Sequence, residues 1–245
     1  MMQRIECLRA IHPRLQDCLV VTIMGAVPTE LQSLGHRSNF FYLQHAMGLA
    51  SSTGLGLALC LPEQRIVVID GDGSILMNLG GFTTLARYRP MNLVHVIFDN
   101  ESLLSVGGFP TATATGSDLA AIAQAAGIPK AKTVRTLQEF EQAFAEAMAG
   151  NELTCIVAKV EATGPKSYIT ELSLLENRFQ FRRHIEKITN KSKPSDLTLR
   201  PLLSPRLSGE LLTLVPFVFL RVTLWLIFVL AVKQAFVRWT RWQVF

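Results

Sequence analysis

Short apolar runs, each closed by a glycine or an acidic residue, recur through the first 160 residues. Leu19–Met24 ends at Gly25, Arg65–Asp70 ends at Gly71, Leu93–Phe98 ends at Asp99, and Leu153–Val160 closes the series. Runs of this length without polar alternation predict strands buried on both faces. The segments between them read as helices. Residues 46–60 are rich in Ala, Gly and Leu, with the small side chains that close helix packing needs. Residues 75–88 suit a helix despite two glycines, and 137–149 place Leu137, Phe140, Phe144 and Met148 at helical spacing. After a Gly/Thr-rich loop at 105–117, Ser117 can cap a helix that begins at Asp118 and stops near Gly127. Alternating strands and helices predict a doubly wound parallel α/β sheet over residues 1–188.

The pattern changes beyond that point. Residues 189–210 read as a polar, proline-containing linker, and 211–245 as an apolar and basic tail. The apolar run at 211–232 is long enough to cross a bilayer. Pro216 interrupts it, however, and Arg221 near its centre costs about 2.5–3.5 kcal/mol on insertion. Lys233, Arg238 and Arg241, with Trp239 and Trp242, resemble an interfacial anchor. A membrane-associated tail and a poorly ordered extension are the two readings.

The 245 residues, 49% hydrophobic and 18% charged, allow one well-buried domain plus an appendage. The formal net charge of +5 gathers in the C-terminal third, at Arg178, Arg182, Arg183, Lys187, Lys191, Lys193 and Arg200. These residues read as a solvated charge run, and no nucleic-acid-binding module accompanies them. The four cysteines form no C-x-x-C pair and have no histidine at ligand spacing, which argues against zinc. Each sits in an apolar setting and reads as a reduced core residue. No apolar signal run follows the N-terminal charges, so the expected location is cytoplasmic, with membrane association only through 211–245.

The candidate chemistry lies at two strand ends. Arg65–Asp70 delivers Gly71-Asp72-Gly73-Ser74 just before a helix, and Leu93–Phe98 delivers Asp99-Asn100 just before the glycine-rich loop. Ligands of open α/β sheets bind beyond the strand carboxyl ends. Gly73 and Ser74 offer backbone and hydroxyl donors to a diphosphate. Asp72 and the Asn100 side-chain oxygen offer hard ligands to Mg²⁺, which takes one or two protein ligands plus phosphate oxygens. A lone Gly-Asp-Gly is usually a turn. Here 26 residues separate Gly73 from Asn100, the length of a helix and a strand in a right-handed crossover.

Gly-Asp-Gly followed at this interval by Asn resembles the signature of thiamine-diphosphate enzymes. The resemblance is to their diphosphate-binding (PP) domain and covers roughly residues 4–185. Gly48-Leu49-Ala50-Ser51-Ser52, the run at 54–58, Leu76–Gly80 and Gly107–Thr111 are similar to the branch holding sulfopyruvate decarboxylase beta subunits and phosphonopyruvate decarboxylases. It implies that Asp72 and Asn100 hold magnesium, with the Ser102 carbonyl as third ligand. Gly71, Gly73, Ser74 and Asn100 would meet the cofactor, and Met47 would prop it in a bent conformation. Backbone near His45 and Ala46 would meet the aminopyrimidine. The implied reaction is cofactor-borne decarboxylation of a small anionic 2-oxo acid. A partner subunit would carry the pyrimidine-binding (PYR) domain and its activating glutamate.

Two departures mark the chain. His45 stands where the family usually has glycine, and its imidazole could donate a proton as a catalytic residue or crowd the cofactor. The loop Glu101-Ser102-Leu103-Leu104-Ser105 is more apolar than in relatives, which leaves the substrate open. His95 reads as a hydrogen-bonded core residue. Glu101, Lys166 and Tyr168 are not assigned a role. The alternatives are another decarboxylase or carboligase of the superfamily, or a membrane-tethered cofactor-binding protein without turnover.

Overall fold

The computed structural model describes residues 1–168 and 172–191, all within one unit spanning Met1–Ser192. Most of the linker and the whole of the 211–245 tail lie outside the described residues. The elements run α1 (Arg4–Ile11), β1 (Cys18–Thr22), α2 (Ala26–Ser33), β2 (Phe40–Tyr42), α3 (Ala50–Cys60), β3 (Arg65–Gly71), α4 (Asp72–Leu76), α5 (Gly80–Tyr88) and β4 (Leu93–Asp99). A minimal hairpin follows, β5 (Ser102–Leu103) and β6 (Phe109–Pro110). Then come α6 (Leu119–Ala125), β7 (Lys130–Val134), α7 (Leu137–Ala149), β8 (Thr154–Lys159) and α8 (Leu174–Lys191).

Six strands form one parallel sheet in the order β2-β1-β3-β4-β8-β7. Successive side chains of β3 show how the sheet is covered. Val67 and Ile69 face a core built with Leu8, Leu31, Phe140 and Phe144, while Ile66 and Val68 face one built with Leu55, Phe82, Leu85 and Leu119. Both faces are therefore buried, as the unbroken apolar runs require. Chain order puts β2 on one side of β1 and β3 on the other, so the winding reverses between β1 and β3. That reversal opens a crevice at the strand carboxyl ends.

Local chemistry adjusts the predicted boundaries. The helix expected over 46–60 begins only at Ala50, because Gly48 holds a φ of 83° that no right-handed helix accommodates. The helix expected over 75–88 is two, α4 and α5, parted at Met77–Leu79. Asn78 is diverted there: its amide donates to the Gly48 carbonyl at 2.8 Å. At α6 the cap is Asp118 rather than Ser117, its carboxylate accepting from the Ala120 and Ala121 N–H groups. The predicted helix at 137–149 matches α7, started by the Thr136/Glu139 capping box.

Three cysteines are buried, and burial pushes the Cys7 and Cys155 thiols up to about 12. Cys60 departs from expectation, being exposed as the last residue of α3. His95 is fully buried as predicted, but its ring makes no hydrogen bond among the described residues; Nε2 lies 3.4 Å from Asp70 Oδ2. Among the described residues no helix is long and apolar enough to cross a membrane.

Candidate cofactor and metal site

The crevice at the winding reversal is a shallow pocket open to solvent. Three strand ends build it. The segment after β1 contributes Ile23 to Val27, the β3–α4 junction contributes Gly71 to Ser74, and the end of β4 contributes Phe98 and Asn100. β3 and β4 are paired with Gly71 opposite Phe98, so the two motifs separated in sequence end side by side.

Asp72 is 2% exposed at the first position of α4. Burial holds its carboxyl above the ordinary carboxylate range and the Asp99 charge adds to this, while hydrogen bonds from Thr111, Gly73 and Thr113 oppose the shift. A buried carboxylate beside a polar crevice is the chemistry a hard cation relieves. Asn100 lines the same crevice, and its Oδ1 accepts the Ser102 N–H at 3.2 Å, fixing the amide while one lone pair stays free. Ser102 lines it too. Asp72, Asn100 and Ser102 thus line one crevice, and oxygens of the kind they carry are hard donors that suit Mg²⁺.

Ser74 is buried and lines the crevice beside Gly73. Its hydroxyl accepts the Gly48 N–H at 2.9 Å, which leaves its own proton available to donate among the described residues. A Cβ added at Gly73 would lie 2.3 Å from Leu103 Cδ2, so the tip of Leu103 would have to move to admit one. Met47 lines the crevice, and Gly48 behind it is clamped between Ser74 and Asn78. His45 and Ala46 do not line it. His45 is exposed, with a φ of 54° in the region that favours glycine.

Several lining residues escaped the sequence reading. Arg4 is 4% exposed, donates to both carboxylate oxygens of Glu30 at 2.8 and 2.9 Å, and reaches the Thr163 carbonyl. It sits on α1, a helix that the search for apolar runs passed over. The Gly25–Val27 stretch at the start of α2 and Ser105 on the hairpin loop also line the crevice. Gly25, which ends the first apolar run, was the one available signal.

The family model for the thiamine pyrophosphate enzyme C-terminal TPP-binding domain matches residues 29–158, more than half of the chain. The chain is 37% identical to the sulfopyruvate decarboxylase subunit beta of Methanocaldococcus jannaschii, over 69% of this chain and 89% of that one. It is 40% identical to the phosphonopyruvate decarboxylase of Streptomyces viridochromogenes, over 62% of this chain but only 37% of that longer one. Among solved structures, benzoylformate decarboxylase from Polynucleobacter necessarius superposes with a TM-score of 0.53 at 21% identity, covering 66% of this chain and 33% of that one. That likeness establishes the fold. Together, the family match, the sequence relatives and the parallel six-stranded sheet show that this chain belongs to the thiamine pyrophosphate enzymes and carries their C-terminal TPP-binding domain.

Proposed function

We propose that the chain is the cofactor-binding subunit of a thiamine-diphosphate- and Mg²⁺-dependent decarboxylase of a small anionic 2-oxo acid, sulfopyruvate or phosphonopyruvate. The observation that carries this reading is the convergence of Asp72, Gly73, Ser74 and Asn100 on one crevice at the winding reversal. Asp72 and Asn100, with the Ser102 carbonyl, hold the cation. The Gly73 N–H and Ser74 hydroxyl orient the diphosphate, and Met47 supports the ring system. When bound, the thiazolium supplies the electron sink that decarboxylation needs. The chain's own residues position that group and exclude water from its apolar side, through Met47, Phe98 and Leu103.

The name "subunit beta" borne by the Methanocaldococcus relative supports a heteromeric enzyme. In our reading the partner carries the PYR domain and the glutamate that assists proton removal from the cofactor. His45 faces solvent, so its imidazole acts on substrate only within the space such a partner would close. Buried free thiols suit a reducing, cytoplasmic setting.

A second reading rests on the crevice wall. Leu103 and Leu104 line it, and the cation there, Arg4, is already paired with Glu30. That lining also suits a less charged 2-oxo acid, decarboxylated or carried into a carboligation. Co-expression with a candidate PYR subunit, followed by CO₂ release assays, tests the proposal. Release from sulfopyruvate or phosphonopyruvate with formation of the free aldehyde is the expected result. Acetoin-type products would favour the second reading. A pair that binds cofactor and Mg²⁺ but releases no CO₂ from any 2-oxo acid would overturn both.

A further inference from the structure

The hairpin that follows Asn100 returns to the site at its far end. Thr111 and Thr113 are 7% and 5% exposed, just beyond β6. Thr111 Oγ1 donates to Asp72 Oδ2 at 2.6 Å, and Thr113 Oγ1 donates to Asp99 Oδ1 at 2.8 Å. The two hydroxyls stand 2.8 Å apart. Asp99 is held on its other oxygen by Lys159 Nζ at 2.8 Å, and the same ammonium reaches Glu101 at 2.8 Å. The base of the hairpin is closed by the Thr111 N–H donating to the Glu101 carbonyl at 3.1 Å.

Thr113 Oγ1 also lies 3.3 Å from Asp72 Oδ2, so the two hydroxyls together bridge the two buried carboxylates, Thr111 on Asp72 and Thr113 reaching both. The arrangement has a geometric consequence. Asp72 stands on the β3–α4 junction and Asn100 at the end of β4, so the two candidate cation ligands belong to different loops. The Thr111–Asp72 bond ties the loop carrying Asn100 back onto the residue carrying the other ligand. It also fixes which oxygen of Asp72 is occupied by protein.

We propose that Thr111 is a positioning residue for the cation, orienting Asp72 through Oδ2 and setting the separation of the Asp72 and Asn100 loops, with Thr113, Asp99 and Lys159 anchoring it from behind. This inference rests on the assignment of Asp72 as a cation ligand. Groups that orient metal ligands typically change affinity by about 10- to 100-fold when removed. Valine keeps the shape of threonine and deletes the hydroxyl, and serine keeps the hydroxyl.

The test is a Mg²⁺ titration of thiamine diphosphate binding by calorimetry, using the full chain with its partner subunit where binding requires it. Thermal unfolding without metal is followed in parallel. Thr111→Val is expected to weaken the apparent Mg²⁺ affinity about 10-fold or more, and Thr111→Ser to restore it. Asp72→Ala, which should abolish Mg²⁺ dependence, is the control for the underlying assignment. If Asp72→Ala abolishes dependence while Thr111→Val binds Mg²⁺ as tightly as wild type, the positioning role is wrong. A Thr111→Val protein with lowered thermal stability but wild-type affinity would show a structural role only, and also overturns it. If Asp72→Ala leaves Mg²⁺ dependence intact, the site assignment itself fails. Should Thr111→Val not fold, Thr113→Val takes its place: the proposal expects it to weaken Mg²⁺ affinity while Thr111→Ser keeps it, and wild-type affinity in Thr113→Val would contradict the proposal.

Discussion

His45 carries a left-handed φ of 54° without being glycine, at the edge of a crevice it does not line. For an L-residue this conformation costs about 1–2 kcal/mol relative to the right-handed one. Only the resemblance suggested glycine at this position, and a left-handed φ is a backbone condition that favours it. His45→Gly should therefore raise stability by about 1 kcal/mol, read as the shift in urea midpoint. A fall in stability would show that the imidazole makes contacts outweighing the strain. Retained decarboxylase activity in the same variant would remove His45 from the catalytic residues. Among single residues, Gly71, Asp72, Gly73 and Asn100 were legible because their spacing implied a shared ligand. Thr111 and Thr113 were not. Threonines in a Gly/Thr-rich loop read as ordinary loop chemistry until the hairpin folds them back onto Asp72.

At the scale of elements, α3 shows how one helix uses similar residues in opposite ways. A Cβ added at Gly54 would lie 2.2 Å from Val68 Cγ2 on β3, whereas one added at Gly56 would meet nothing within 4 Å. Gly54→Ala should destabilise by about 1–3 kcal/mol through overpacking. Gly56→Ala should stabilise by about 0.8–1 kcal/mol through helix propensity. Denaturant unfolding of both variants checks the pair, and like signs would contradict this packing of α3 on β3. Composition announced that α3 packs closely, but not which glycine touches the sheet, because that depends on helix phase. The long apolar strands were readable for the same reason that they are buried. The edge elements were harder. β2 has three residues, and its outer edge is satisfied by the Asn177 side chain, which accepts from the Tyr42 N–H at 3.0 Å and donates to the Phe40 carbonyl at 2.7 Å. Neither β2 nor α8 carries a local signal for that long-range pairing. β7, with Lys130 and Lys132 alternating on an exposed edge, likewise reads as a charged loop.

For the whole molecule, the alternation of strands and helices was enough to infer a doubly wound sheet, and the strand order locates its crevice. Sequence reasoning had β3 and β4 as the site's two walls. The reversal at β1 adds a third, with Gly25 to Val27 and the Arg4–Glu30 pair beside it. Distances between these walls arise from tertiary packing, which no single segment encodes. The central claim is that these walls hold thiamine diphosphate through a cation bound by Asp72. Calorimetric titration of thiamine diphosphate into the protein with its partner subunit, with and without Mg²⁺, tests it most directly when wild type is compared with Asp72→Ala. The account predicts saturable binding that requires Mg²⁺ in wild type and is lost in Asp72→Ala. Equal binding by the two proteins, or binding indifferent to Mg²⁺, would contradict it.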